Sequence, residues 1–243
     1  MANSYFQFKQ FTIQQDKTAM KVTTDGCLFG AWVSRELGVN SKESATVLDI
    51  GTGTGLLSLM LAQANNVFID AIEIDKDAFE QASENVAASP WADKIKVIHG
   101  DSNEFASSPP YDLIVSNPPF YENELKGTNT KKNLAHHNDG LLLPDLLGLI
   151  KKNLKSTGNF YLLLPFKRNE EVKKMFFESD LSVEQICFVK QSTKHDYFRM
   201  MLKGALQRDV QTEIIITDIS IKDDNNHYTQ DFTGLLKEYY LHL

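Results

Sequence analysis

Val47-Leu48-Asp49-Ile50-Gly51-Thr52-Gly53-Thr54-Gly55 is a short apolar run that breaks into alternating glycines, and Leu56 to Ala64 follows as an apolar helix pattern. A strand, a tight turn and a helix are the reading. Glycines let the backbone turn sharply and approach a ligand closely. The spacing is G-x-G-x-G, with an acid two residues before the first glycine. It is not the dinucleotide fingerprint, because Leu56 and Leu57 stand where a later glycine is wanted. Nor is it a Walker loop, since no Lys-Ser/Thr pair follows. An acid here opposes a pyrophosphate and suits a cation, so Asp49 points to an ammonium group.

Two further strands close on acids. Val67 to Glu73 ends on Glu73, and Ile95 to His99 runs through Gly100 to Asp101. Ligands of open α/β sheets bind outside the carboxyl ends of strands. Glu73 there can accept from both hydroxyls of a ribose. Asp101 has two readings: an acceptor for an adenine amino group, or a turn residue. Asp75, ahead of Lys76-Asp77-Ala78-Phe79, reads as a helix N-cap.

A fourth apolar run, Tyr111 to Ser116, leads into Asn117-Pro118-Pro119-Phe120. The prolines end the strand and stiffen the turn. They leave the Asn117 side-chain oxygen and the Pro118 carbonyl as acceptors, a pair able to grip a planar amino group by both hydrogens. Phe120 offers either a stacking face for a flat ring or a core aromatic. Tyr121 is a second stacking candidate.

These four motifs, in this order and each after a strand, resemble the class I S-adenosyl-L-methionine (AdoMet) methyltransferases acting on amino nitrogens. Phe8-Lys9-Gln10-Phe11, Ala19 to Gly26, Gly30-Ala31-Trp32 and the tail from Tyr228 to Leu241 are similar to the bacterial tRNA adenine-N6 methyltransferases that modify valine tRNA beside its anticodon. The resemblance implies a seven-stranded, mostly parallel Rossmann-like sheet with an antiparallel edge and helices on both faces. It implies AdoMet as cofactor, held by Asp49, Gly51, Gly53, Gly55, Glu73, Asp101 and Asn117, with Thr24 and Asp25 at the cofactor mouth. It also implies catalysis by Asn117, Pro118 and Phe120 on a tRNA substrate, for which Pro119 and Tyr121 are candidate base contacts. Lys126, Lys131, Lys167 and Arg168 are candidate phosphate contacts on the ground of their charge.

Adenine N6 is a poor nucleophile because its lone pair is delocalised into the ring. Two acceptors holding its hydrogens allow the nitrogen to pyramidalise and favour the transition state over the ground state. The base must be unpaired or flipped out, which an anticodon loop provides. Enzymes acting on rRNA amino groups or release-factor glutamine present similar groups to similar acceptors. An NAD-dependent oxidoreductase and a non-catalytic RNA-binding module are the readings from other classes.

The 243 residues, 42% of them apolar, suffice for one sizeable core. One domain over 1–243 is expected: a covering segment at 1–44, a catalytic core at 45–206 and a final strand and helix at 207–243. No apolar stretch is long enough to span a membrane, and the first residues lack a signal peptide's pattern. Cys27 and Cys187 are far apart and read as buried, reduced thiols. His136-His137 lacks companions for a metal site, so none is expected. A cytoplasmic monomer or weak oligomer follows.

The net charge of −7 is unevenly spread. Residues 70–112 carry a net −7, whereas residues 113–208 carry a net +5. The basic surplus begins at the Asn-Pro-Pro-Phe turn and includes Lys190, Lys194 and Arg199 further on. Such residues can meet phosphates or be solvated surface. Strands are predicted near 45–50, 67–73, 95–99, 111–116, 158–164, 181–190, 197–206 and 213–219. Helices are predicted near 27–37, 55–64, 76–88, 144–155, 168–178 and 229–241.

Overall fold

The computed structural model describes residues 3–38, 44–118, 141–207 and 213–243. Its centre is β3 (Ala45–Ile50), with parallel neighbours β4 (Val67–Glu73) and β6 (Tyr111–Ser116) on its two sides. Val47 on one face and Leu48 and Ile50 on the other are all buried, which is why the run is apolar almost throughout. β5 (Ile95–His99) continues the parallel set beyond β4, and β7 (Leu154–Pro165) continues it beyond β6. β9 (Tyr197–Leu206) then pairs antiparallel with both β7 and β8 (Leu181–Ser192).

The expected seven-stranded sheet is present with one strand more. β10 (Ile215–Lys222) lies parallel to β8 and becomes the edge, giving the order β10-β8-β9-β7-β6-β3-β4-β5. β9 runs antiparallel to β8 and ends where β8 begins, so β10 starts at that same end and runs parallel to β8.

Helices cover both faces. α1 (Thr24–Gly38), α2 (Leu56–Ala64) and α6 (Gln230–Leu236) supply one core, and α4 (Leu143–Asn153) and α5 (Asn169–Phe177) the other. α3 (Lys76–Ala87) opens on Asp75, whose carboxylate accepts from the Ala78 N–H at 2.9 Å, as the sequence predicts. α1 and α2 cross closely at Gly30, where a Cβ would lie 2.7 Å from the Met60 sulfur.

Three elements differ from expectation. The N-terminus forms a hairpin, β1 (Tyr5–Gln7) with β2 (Thr12–Gln14), too short to show a period. Phe8 and Phe11 stack at its turn, 4.5 Å between centroids, and Phe8 bridges to Tyr240. That bridge uses residues predicted as helix, so α6 stops at Leu236, whose carbonyl takes both the Tyr239 and Tyr240 N–H groups. β7 begins at Leu154, inside the predicted end of α4, because its first residues pair with Tyr111. Both cysteines are free and buried, as expected. No helix among the described residues is long and apolar enough to cross a membrane.

Candidate active site

The carboxyl ends of β3, β4, β5 and β6 meet at one edge of the sheet, and the predicted motifs lie along it. Gly51, Gly53 and Gly55 have φ of +71°, +58° and +82°. That alternating left-handed path explains the spacing, since an L side chain is disfavoured at each of the three. β4 anchors the turn: the Gly51 and Thr52 N–H groups both donate to the Ile72 carbonyl. The Gly53 N–H donates to Glu73 Oε2 at 2.8 Å. Glu73 Oε1 accepts from the Asp75 N–H at 3.0 Å, so the carboxylate is held flat against the turn. Between these acids Ile74 is 64% exposed, an apolar face that the sequence reading missed.

Asp49 is fully buried. Its Oδ2 accepts from the Thr52 and Ser58 hydroxyls, each at 2.7 Å. Its Oδ1 is buried with no hydrogen-bond partner among the described residues. Burial pushes the Asp49 carboxyl up to about 6, the two hydroxyls pull it down, and the nearby Glu73 charge adds to the rise. A buried carboxylate oxygen without a partner is costly. It fits a cationic ligand group, as in the ammonium of AdoMet. The turn, Glu73 and Asp49 together thus fit that cofactor.

Asp101 is exposed, and its Oδ1 accepts from the Asn103 N–H at 2.8 Å, capping a 3-10 turn over Ser102–Glu104. This is the turn role that the sequence left open. Asn117 is half-buried and Pro118 buried, immediately beyond the pairing of Ser116 with Ile50. A Cβ on Gly26 would lie 3.5 Å from Leu56 Cδ2 and 3.8 Å from Asn117 Nδ2. The Asn117 amide therefore faces the start of α1, beside the residue that opens α2.

Asp25 and Thr24 stand at that same helix start. The Asp25 carboxylate is taken by the Arg199 guanidinium at 2.7 Å. Thr24 borders a separate cleft of about 450 Å³, lined also by Lys194, His195, Lys222, Asp223 and Tyr228. Lys167 and Arg168 form a 3-10 turn after β7, where Arg168 forks onto Glu171 at 2.8 and 2.7 Å. That cation holds the Glu171 carboxyl below the usual range. Pro119, Phe120, Tyr121, Lys126, Lys131, His136 and His137 lie outside the described residues. Among the described residues no group of three or more His, Cys, Asp or Glu could hold a metal.

A mostly parallel sheet with a glycine turn, a buried acid that keeps one oxygen unpartnered among the described residues and a neighbouring strand β4 that closes on an acid defines an AdoMet-dependent methyltransferase. The methyltransferase small domain family matches residues 35–174. The M. jannaschii tRNA m1G37 methyltransferase superposes with a TM-score of 0.59 at 16% identity, covering 86% of this chain and 56% of that one. The glycopeptide N-methyltransferase MtfA, complexed with AdoMet, superposes at 0.53 and 14% identity, covering 73% and 94%. Both similarities concern the fold.

Sequence relatives narrow the class. A Parabacteroides distasonis protein is 42% identical over 243 residues, 99% of each chain, and a Cytophaga hutchinsonii protein is 41% identical over all of both. Both are named tRNA1(Val) (adenine(37)-N6)-methyltransferase. The chain belongs to that methyltransferase family.

Proposed function

We propose that this protein methylates N6 of adenine 37 in tRNA1(Val), the reaction for which its full-length relatives are named. The observation that carries the chemistry is the position of Asn117, one residue past the β3–β6 pairing and directed at the helix starts that flank the glycine turn. When bound, AdoMet supplies a methyl group on a sulfonium. Asp49 Oδ1 holds a cationic group of that ligand, Glu73 holds hydroxyls, and Ile74 gives an apolar face to its ring. Asp101 Oδ2 accepts from the ring's amino group.

Asn117 Oδ1 and the Pro118 carbonyl then accept the two hydrogens of the target amine. This positions the nitrogen and stabilises positive charge as it develops there. No strong base is required, because a methylated ammonium is acidic. Phe120 and Tyr121, with Pro119, are proposed to stack on the flipped base.

The tRNA lies over the β6–β9 part of the sheet. The acidic stretch 70–112 supplies β4 and β5, whereas the basic stretch 113–208 supplies β6 to β9. RNA phosphates are repelled by the first half and drawn to the second. Lys126, Lys131, Lys167 and Arg168 are proposed contacts. Lys190, Lys194 and Lys222 join them, since the turns after β8 and β10 rise at the same edge as Asn117. Lys190 sits 4.7 Å over the Tyr197 ring and Lys222 5.6 Å over Tyr228, pairing charge with aromatic faces. The protein acts as one domain over 1–243, in the cytoplasm and as a monomer or weak oligomer.

Nucleoside mass spectrometry tests the assignment. The purified protein should convert adenine 37 of a tRNA1(Val) transcript to N6-methyladenine with AdoMet. An unmodified product, or the methyl group on another base, would overturn it.

A further inference from the structure

The catalytic reading does not use Asn85, yet this side chain is 2% exposed and touches the glycine turn. Three bonds are made by its amide. Oδ1 accepts from the Gln14 N–H at 2.8 Å, and Nδ2 donates to the Gln14 carbonyl at 2.9 Å. That pair imitates a strand neighbour for the end of β2. Nδ2 also donates to the Thr54 carbonyl at 2.9 Å, between the two left-handed glycines Gly53 and Gly55. One turn earlier on α3, Ala82 backs the same turn: a Cβ on Gly55 would lie 3.7 Å from the Ala82 Cβ.

The segment so held leads to the acceptor. Gln81, 1% exposed, accepts from the Lys17 N–H at 3.1 Å. Gln15 accepts from the Val22 N–H at 2.8 Å, and the Thr23 hydroxyl accepts from the Gly26 N–H at 3.2 Å. Gly26 is the residue that faces Asn117.

We infer that Asn85 is a positioning residue: it locks the Thr54 carbonyl, and with it the glycine turn, to the N-terminal segment, so that cofactor affinity depends on a side chain that does not touch the cofactor. The physical ground is that a buried amide satisfied three times is expensive to displace. Without it the Thr54 carbonyl loses its buried partner and the turn can relax. The inference rests on the cofactor reading given above.

The test compares Asn85→Ala with Gln81→Ala, equally buried on the same helix but bonded to the N-terminal segment and to Glu84 of its own helix rather than to the glycine turn. S-adenosyl-L-homocysteine affinity is measured by calorimetry on folded protein, with AdoMet KM and kcat. Asn85→Ala should weaken binding about 10- to 100-fold and raise KM in proportion, the scale of a lost buried hydrogen bond. It should change kcat at saturation less than about 3-fold, and Gln81→Ala should change affinity less than about 3-fold. If Asn85→Ala does not fold, the isosteric Asn85→Asp removes both donations and should weaken binding similarly. Wild-type affinity in the Asn85 variants, or equal loss in Gln81→Ala, would overturn the inference alone. Failure of the wild-type protein to bind would overturn the cofactor reading and the inference with it.

Discussion

Ser116 and Ile50 meet across neighbouring strands: the Ser116 hydroxyl, out of solvent, donates to the Ile50 carbonyl at 2.7 Å. The bond joins the last residue of β6 to the last of β3. Asn117 and Gly51, the next residues, therefore start from a fixed separation. Ser116→Ala should lower stability by about 1–2 kcal/mol, as a buried carbonyl loses a partner. It should also lower kcat about 10-fold, because slight misplacement of an acceptor is costly. Urea unfolding and steady-state kinetics measure the two effects. Full kcat at reduced stability would make the bond purely structural.

Asn117→Ala should retain S-adenosyl-L-homocysteine binding and lose at least ~10²-fold in kcat, the scale for removing a preorganised polar partner. Single-turnover methylation of tRNA1(Val) is the measurement. Near-normal turnover would remove Asn117 from the mechanism.

Asp49 predicts a pH dependence. Its carboxyl is raised from an ordinary 3.8 to about 6, chiefly by burial. The fold thus favours the protonated form. The stabilising contribution is full below about pH 4 and is lost as pH rises through about 6. Near neutrality the ligand-free protein holds an ionised, under-partnered acid. A bound cation relieves this, so affinity should rise between pH 5 and 7, with roughly half a proton released on binding at pH 6. Asp49→Asn should match or exceed wild-type Tm at pH 8 and abolish the proton release. Calorimetry in buffers of different ionisation enthalpy decides, and pH-independent wild-type binding would refute this role.

Glu73→Ala removes the acceptor for the Gly53 N–H as well as the proposed hydroxyl contact. AdoMet affinity should fall by roughly 1–3 kcal/mol. Unchanged affinity in equilibrium binding would mark Glu73 as a structural acid.

Lys194→Glu with Lys222→Glu should raise KM for tRNA and leave S-adenosyl-L-homocysteine affinity unaltered. The slope of log affinity against log salt should become shallower by about 2, one for each lost phosphate contact. A parallel, unshifted salt plot would move the RNA to another face.

Local patterns made much of this molecule legible. The apolar run in Val47 to Ile50, the glycine spacing after it and the acid that caps α3 all act within a few residues, so their order along the chain reveals them. Asp101 shows the limit: its place at the end of β5 was readable, but the Asn103 N–H claims one of its oxygens. The N-terminal hairpin was hidden because three-residue strands have no period, and Phe8 is ordered by Tyr240 at the far end of the chain.

The strand–turn–helix order, the three glycines and the end of β6 just before Asn117 followed from sequence alone, because the steric and hydrogen-bonding demands of each are local. Tertiary structure alone decided that Arg199 pairs with Asp25, 174 positions away, that Asn85 braces Thr54, and that Ser116 fastens Asn117 beside Gly51. These contacts depend on which strands become neighbours, and that is set by burial of the whole sheet rather than by any segment.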